Sequence, residues 1–249
     1  MRRALVLIVI LLAAVALVAC GKDDKLTGAG TTTPATTGAK RSTATTARAS
    51  LPRRSTRDGC KAVAAPKPAV NPDLRRSKRR LSRKRRYTAV VRTNCGTIEI
   101  RLAVAKAPKT TASFAGLARR RFFDGLTFHR IAKPGGNDYV IQGGDPLGTG
   151  NGGPGYTVVE PPSKRTKYRR YVVAMAKTQT EQPGTSGSQF FIVTAPEAPL
   201  DPDYALLGEV VGGRKVVKRI AAVPTDPATE APIDPVVISS LRIRSSKPR

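Results

Sequence analysis

The sequence predicts a mainly β domain, a closed antiparallel barrel capped by two α-helices. Three observations predict it. Short stretches rich in β-branched and aromatic residues recur between Gly-, Pro- and Asn-containing turns, the pattern of strands joined by tight connections. Two stretches read as helices, one near each end of the region. That region, from about Tyr87 onward, holds roughly 160 residues, ample for one core, and shows no internal repeat.

The elements follow in order. Tyr87–Thr93 and Gly96–Leu102 alternate around Asn94-Cys95-Gly96 and read as an opening hairpin. Pro108 starts a helical stretch, Lys109 to Arg120, with Phe114 and Leu117 on one face and basic residues at its C-terminal end. Strands are expected over 127–131, 138–142, 156–159, 171–177, 189–193 and 205–211. A second helix is expected from Arg214 to Ala222 and a closing strand from Val236 to Ile243.

Residues 1–20 read as an export signal. Arg2 and Arg3 form a basic start, Leu5 to Leu17 is uncharged and apolar, and that run is short for a membrane-spanning helix. It closes on Leu17-Val18-Ala19-Cys20-Gly21, which resembles a bacterial lipobox and implies lipidation at Cys20. The alternatives are an uncleaved anchor or an ordinary secretory signal. The expected location is extracytoplasmic, lipid-anchored to the bacterial cell membrane. Residues 21–86 read as a flexible tether, first Thr/Ala-rich, then Ala/Pro-rich, then basic; the folded domain is expected over 87–245. Besides Cys20 there are two cysteines, Cys60 and Cys95. In an oxidising compartment this pair is expected as a disulfide.

The formal charge of +27 is concentrated in Arg75–Arg86. Such a run binds anionic surfaces by counterion release, and it is as often a solvated tail. After export, anionic lipid or acidic wall polymers are within reach of residues 75–86, and nucleic acid is not an expected physiological partner. A single histidine, His129, rules out a two-His metal site, and no metal is expected.

Three strings carry chemistry: Phe128-His129-Arg130-Ile131, Gln142-Gly143-Gly144-Asp145 and Gly187-Ser188-Gln189-Phe190-Phe191-Ile192. Their order and spacing resemble the active-site signature of the cyclophilins, peptidyl-prolyl cis-trans isomerases built on an eight-stranded β-barrel. The resemblance covers about Tyr87 to Arg244. It implies that Arg130 is the catalytic arginine facing the prolyl nitrogen and that Gln142 binds substrate backbone beside it. It further implies Gln189 at the rim, His129 as pocket wall, and Phe128, Tyr139, Val140, Phe191, Leu200 and Tyr204 around the proline ring. Ala176 and Lys177 stand in the segment that meets substrate backbone. Taken alone, Arg130 has candidate partners in Asp145 and Asp138, and each aromatic has a place in an ordinary core. The implied partners are flexible X-Pro chains, no cofactor is needed, and nothing suggests more than a monomer.

The chain departs from the family pattern at several points. Tyr139 stands where Phe is usual, Lys177 where Asn is common, and Pro199 at the tryptophan position of cyclosporin-sensitive members. The connections 133–138 and 178–186 are long. Two other motifs fail their context. Gly148–Gly153 fits G-x-G-x-x-G, but it leads into a strand pattern, so no helix N-terminus would meet a phosphate. Thr185–Ser188 lacks the glycines of a nucleophile elbow. The rival readings are a proline-segment binding module with vestigial catalysis and a scaffold acting through its basic run.

Overall fold

The computed structural model describes residues 59–67 and 69–247. The leader with Cys20, and the tether as far as residue 58, lie outside the described residues. The elements are β1 (Arg86–Thr93), β2 (Gly96–Leu102), α1 (Pro108–Arg119), β3 (Arg130–Ala132), β4 (Val140–Gly143), β5 (Val158–Val159), β6 (Tyr168–Arg169), β7 (Val172–Met175), β8 (Thr185–Ser186), β9 (Phe190–Val193), β10 (Glu197–Ala198), β11 (Leu206–Gly212), α2 (Arg214–Ala221) and β12 (Ile238–Ser246). Each expected strand and helix is present, with ends moved by up to three residues. The two-residue strands β6, β8 and β10 were not legible, because two residues show no alternation.

Eight strands form one antiparallel sheet in the order β12-β1-β2-β11-β7-β9-β4-β3, and two small ladders pair β10 with β6 and β5 with β8. The expected closed barrel is corrected here: the main sheet is an open half-barrel whose edges are β12 and β3. The reason is local. β3 has only three residues, and the chain before it meets the start of β12 through single bridges. Gly125 N donates to Ile238 O (2.8 Å), Ile238 N to Leu126 O (2.7 Å) and Phe128 N to Val236 O (2.9 Å). Asp124 fastens the same seam by accepting from Leu241 N (3.1 Å) and by a two-pronged pair with Arg242 at 2.6 Å.

Alternation along the strands separates an inner face from an outer one. Ile131, Ile141, Ile192 and Val173 lie in one cross-strand row and all belong to the main core. The neighbouring row, Arg130, Gln142, Phe191 and Ala174, faces outward. Helix α1 packs into the inner face and buries residues 110–118. Pro108 sits at its N-terminus, where no amide partner is lost. Its first free amides, Lys109 N and Thr110 N, donate to the Glu160 carboxylate at 3.1 and 2.7 Å, the charge the helix N-terminus favours. Helix α2 covers the hairpin turn through Val217, Ile220 and Ala221. Gly96 makes that approach feasible: its φ is +130°, and a Cβ there would meet Val216 Cγ2 at 2.7 Å.

The segment before β1 lies against the domain. Cys60 and Cys95, both buried, form a disulfide. Lys61 N donates to Asn94 O (2.9 Å), Leu74 N to Pro154 O (2.9 Å), and Arg120 Nη1 to Arg75 O (2.9 Å); Leu81 is buried in the main core. The disulfide closes a loop of sequence separation 35. Changing both cysteines to serine is expected to cost about 3–4 kcal/mol through loop-closure entropy. Urea unfolding of parent and double variant checks this, and a loss under about 1 kcal/mol would contradict it.

Candidate active site

The site is assembled on the outer face of β3, β4, β9 and β7. Because β3 and β4 pair Arg130 with Gln142, and β4 and β9 pair Gln142 with Phe191, three residues from distant parts of the chain stand side by side. A polar line crosses them. Arg130 Nη1 donates to Gln142 Oε1 (3.3 Å), and Gln142 Nε2 donates to Gln189 Oε1 (2.9 Å). Gln189 Nε2 donates to Gly150 O (2.7 Å) and Gly152 O (2.9 Å). The G-x-G-x-x-G stretch is therefore a loop wall of the site that leads into β5. Its shape is set from below by buried Asp145, which accepts from Leu147 N (2.8 Å) and Gly150 N (2.5 Å). Gly152 is required there, since a Cβ would collide with the Asp145 carboxylate.

Arg130 takes neither of the carboxylates considered from sequence. Its Nε donates to Glu230 Oε2 at 2.6 Å, and both side chains are about one-third exposed, 39% and 32%. Glu230 is held in turn. Its backbone is left-handed (φ +58°), its N donates to Asp226 O (2.8 Å), and its O accepts from Ile131 N (2.9 Å). The Asp226 carboxylate accepts from Ala228 N (2.8 Å) and Thr229 N (2.9 Å), fixing the turn. Glu230 was missed from sequence because it lies 100 residues from Arg130 in a Pro/Thr-rich connection with no motif.

Beside this line lies an apolar cluster, separate from the main core. It contains Val140, Phe191 and Ala174, edged by Tyr139, Ala176, Leu200 and Tyr204. The structure thus brings together six of the expected pocket residues. The Tyr204 ring meets Phe191 edge-on with centroids 5.4 Å apart. Tyr168, fully buried and not anticipated, supports both: its hydroxyl donates to Tyr204 O (2.7 Å) and accepts from Tyr204 N (3.0 Å). Burial pushes the Tyr168 phenol up to about 12. Burial also raises Tyr139 and Tyr204, so all three stay neutral at physiological pH.

Phe128 is the correction within the site. It is fully buried in the main core, against Phe190 at 5.8 Å between centroids, because the chain faces it inward while Arg130 faces out. His129 is half-buried, and neither ring nitrogen finds a hydrogen-bond partner among the described residues. Burial pulls its pKa down; Asp145 opposes that pull and Arg130 adds to it. Lys177 does not project free: its Nζ donates to Thr178 O and Glu181 O (both 3.1 Å) and lies 5.6 Å from the Tyr204 ring centroid. Next to Gln142 and Gln189 a cavity of about 500 Å³ opens, walled by residues 150–157 and by Lys177, Thr178 and Glu181. Among the described residues no group of His, Cys, Asp and Glu is placed to hold a metal ion.

Residues 88–243 match the family model described as cyclophilin type peptidyl-prolyl cis-trans isomerase. Peptidyl-prolyl cis-trans isomerase B of Streptomyces anulatus is 41% identical over 175 residues, which cover 63% of this chain and 96% of that protein. Peptidyl-prolyl cis-trans isomerase A of Mycobacterium tuberculosis (strain H37Rv) is 38% identical over 174 residues, covering 63% of this chain and 91% of that one. Among solved structures, the cyclophilin type isomerase of Cryptosporidium parvum in the presence of the dipeptide Ala-Pro is 30% identical, with a TM-score of 0.58. The match covers 64% of this chain and 99% of that one. A mainly β domain with two helices, an outward Arg130–Gln142 row beside an apolar cluster, and these matches place the chain among the cyclophilin-type peptidyl-prolyl cis-trans isomerases.

Proposed function

We propose that Arg130 catalyses rotation about X-Pro bonds by donating to the prolyl nitrogen, while the cluster of Phe191, Leu200 and Tyr204 holds the ring. The X-Pro barrier is about 20 kcal/mol because the amide must lose conjugation, and uncatalysed rotation takes tens of seconds. No bond is broken and no proton must be passed. A fixed donor aimed at the nitrogen that pyramidalises stabilises the transition state selectively. The observation that carries this reading is the bracing of Arg130. Glu230 takes Nε and Gln142 takes one Nη1 donor, which leaves the Nη2 side of the guanidinium for substrate. Gln142 would also hold the substrate backbone.

The substrates are flexible proline-containing chains, and the enzyme acts outside the cytoplasm, anchored through lipidated Cys20. No cofactor is used, and the enzyme is a monomer.

Glu230 acts here as a positioning residue. In exchange NMR of a short X-Pro peptide the full chain is expected to accelerate isomerisation. Glu230→Gln is expected to lower kcat several-fold with KM unchanged, because the guanidinium loses its fixed angle but the pocket does not change. Equal kcat in parent and variant would remove Glu230 from the mechanism. A folded parent without acceleration would favour the proline-binding module.

The pH profile is a separate check. His129 is held below its ordinary value, so it is neutral above about pH 6.5, and the site tyrosines ionise only above about pH 10. Thus kcat/KM is expected to be flat from about pH 6 to 9, without the bell shape of acid–base catalysis. Stability has a defined sign. The unfolded imidazole binds its proton first, so stability falls as pH drops below about 6.5. A steep activity limb near neutrality would give His129 a chemical role.

A further inference from the structure

A further cavity lies away from the catalytic row. It measures about 930 Å³ and shares no residue with the site described above. Seven Lys and Arg side chains line it against two glutamates. Only part of this charge comes from the basic run: Arg83, Arg85 and Arg86 do, whereas Arg101, Lys106, Arg165 and Lys167 come from β2, the turn after it and the loop before β6. The fold thus collects cations that the sequence scatters over more than eighty positions. The two carboxylates do little to cancel them. Glu160 is committed to the α1 amides at 2.7 and 3.1 Å, and Glu209 sits a loose 3.9 Å from Arg101 and 3.8 Å from Arg214.

The cleft also continues. Arg83 lines a second cavity of about 630 Å³, walled by Arg76–Arg80 and by Pro108 and Lys109 at the start of α1. The cations are exposed and spread along both cavities, so they do not converge on one small ion. Binding there must come from many weak contacts to a repeating charge. A flat lipid surface would touch only the rim of a concave cleft. Neither cavity contains an aromatic side chain, so there is no platform on which bases would stack.

We propose that these joined cavities bind a linear phosphate-bearing polymer, reading backbone charge alone, and so dock the isomerase on a polyanion while its catalytic face stays open. The test is binding of the full chain to linear polyphosphate of defined length, followed by fluorescence anisotropy across a salt series. Lys106 and Arg165 line the groove, lie outside the basic run and make no ion pair among the described residues. The Lys106→Ala/Arg165→Ala variant is expected to bind about tenfold more weakly, with a salt slope shallower by about two. Lys215→Ala/Lys218→Ala removes the same charge from exposed positions on α2 and is expected to change little. Isomerase activity reports that both variants are folded. Equal weakening by the two pairs would show a response to net charge and overturn the groove. So would an absence of polyphosphate binding, or tighter binding to phosphatidylglycerol vesicles or to single-stranded DNA.

Discussion

Arg130→Ala is expected to lower kcat/KM toward an X-Pro peptide by about 100-fold or more, the usual consequence of removing a preorganised donor from a developing charge. The loss should fall on kcat. The apolar cluster around Phe191 and Tyr204 does not depend on the guanidinium, so the ground-state grip on the proline ring remains. Deleting the guanidinium leaves the Glu230 carboxylate unpaired, but at one-third exposure it stays hydrated, and the fold should tolerate the change. Exchange NMR for rate and peptide titration for affinity separate the two effects. A loss under about threefold, in a protein that still unfolds cooperatively, would mean that Arg130 merely decorates the groove. Full retention of cellular function without turnover would favour a binding module.

Phe190→Ala is expected to destabilise by about 3–5 kcal/mol, the range for deleting a large aromatic side chain from a closed core. Phe190 is fully buried and joins three other phenylalanines. Its ring meets Phe114 at 5.6 Å, Phe128 at 5.8 Å and Phe123 at 6.1 Å, all near edge-to-face, a geometry that adds to the area term. Those neighbours come from α1, from the chain before β3 and from the α1–β3 connection, so repacking one of them cannot fill the hole. The same substitution should weaken catalysis, because Phe190 fixes the strand that presents Phe191. Urea unfolding checks the first effect; a cost below about 1.5 kcal/mol would show that the core collapses around the site.

Much of the site was readable because strand alternation projects short motifs directly onto faces. Arg130 and Gln142 belong to strings with strand character, and their outward direction follows once the inward residues Ile131 and Ile141 are known. Alternation extended back from Arg130 would place Phe128, two residues earlier, on the outer face as well; Phe128 precedes β3, and there the chain turns its ring into the main core. The barrel was expected closed because the strands suffice in number. Closure needs two long edges, and β3 has three residues.

By itself the sequence determined the order of the main strands and both helices, and the family, because each is written in contiguous residues whose periodicity or spacing is local. Tertiary structure alone decided that Glu230 braces Arg130, that Tyr168 underpins Tyr204, and that cations from β2 and the loop before β6 join the basic run in one cleft. Those partnerships link residues 36 to 100 positions apart or gather one surface from scattered loops. They depend on where the strands pair and turn, and no local pattern encodes that.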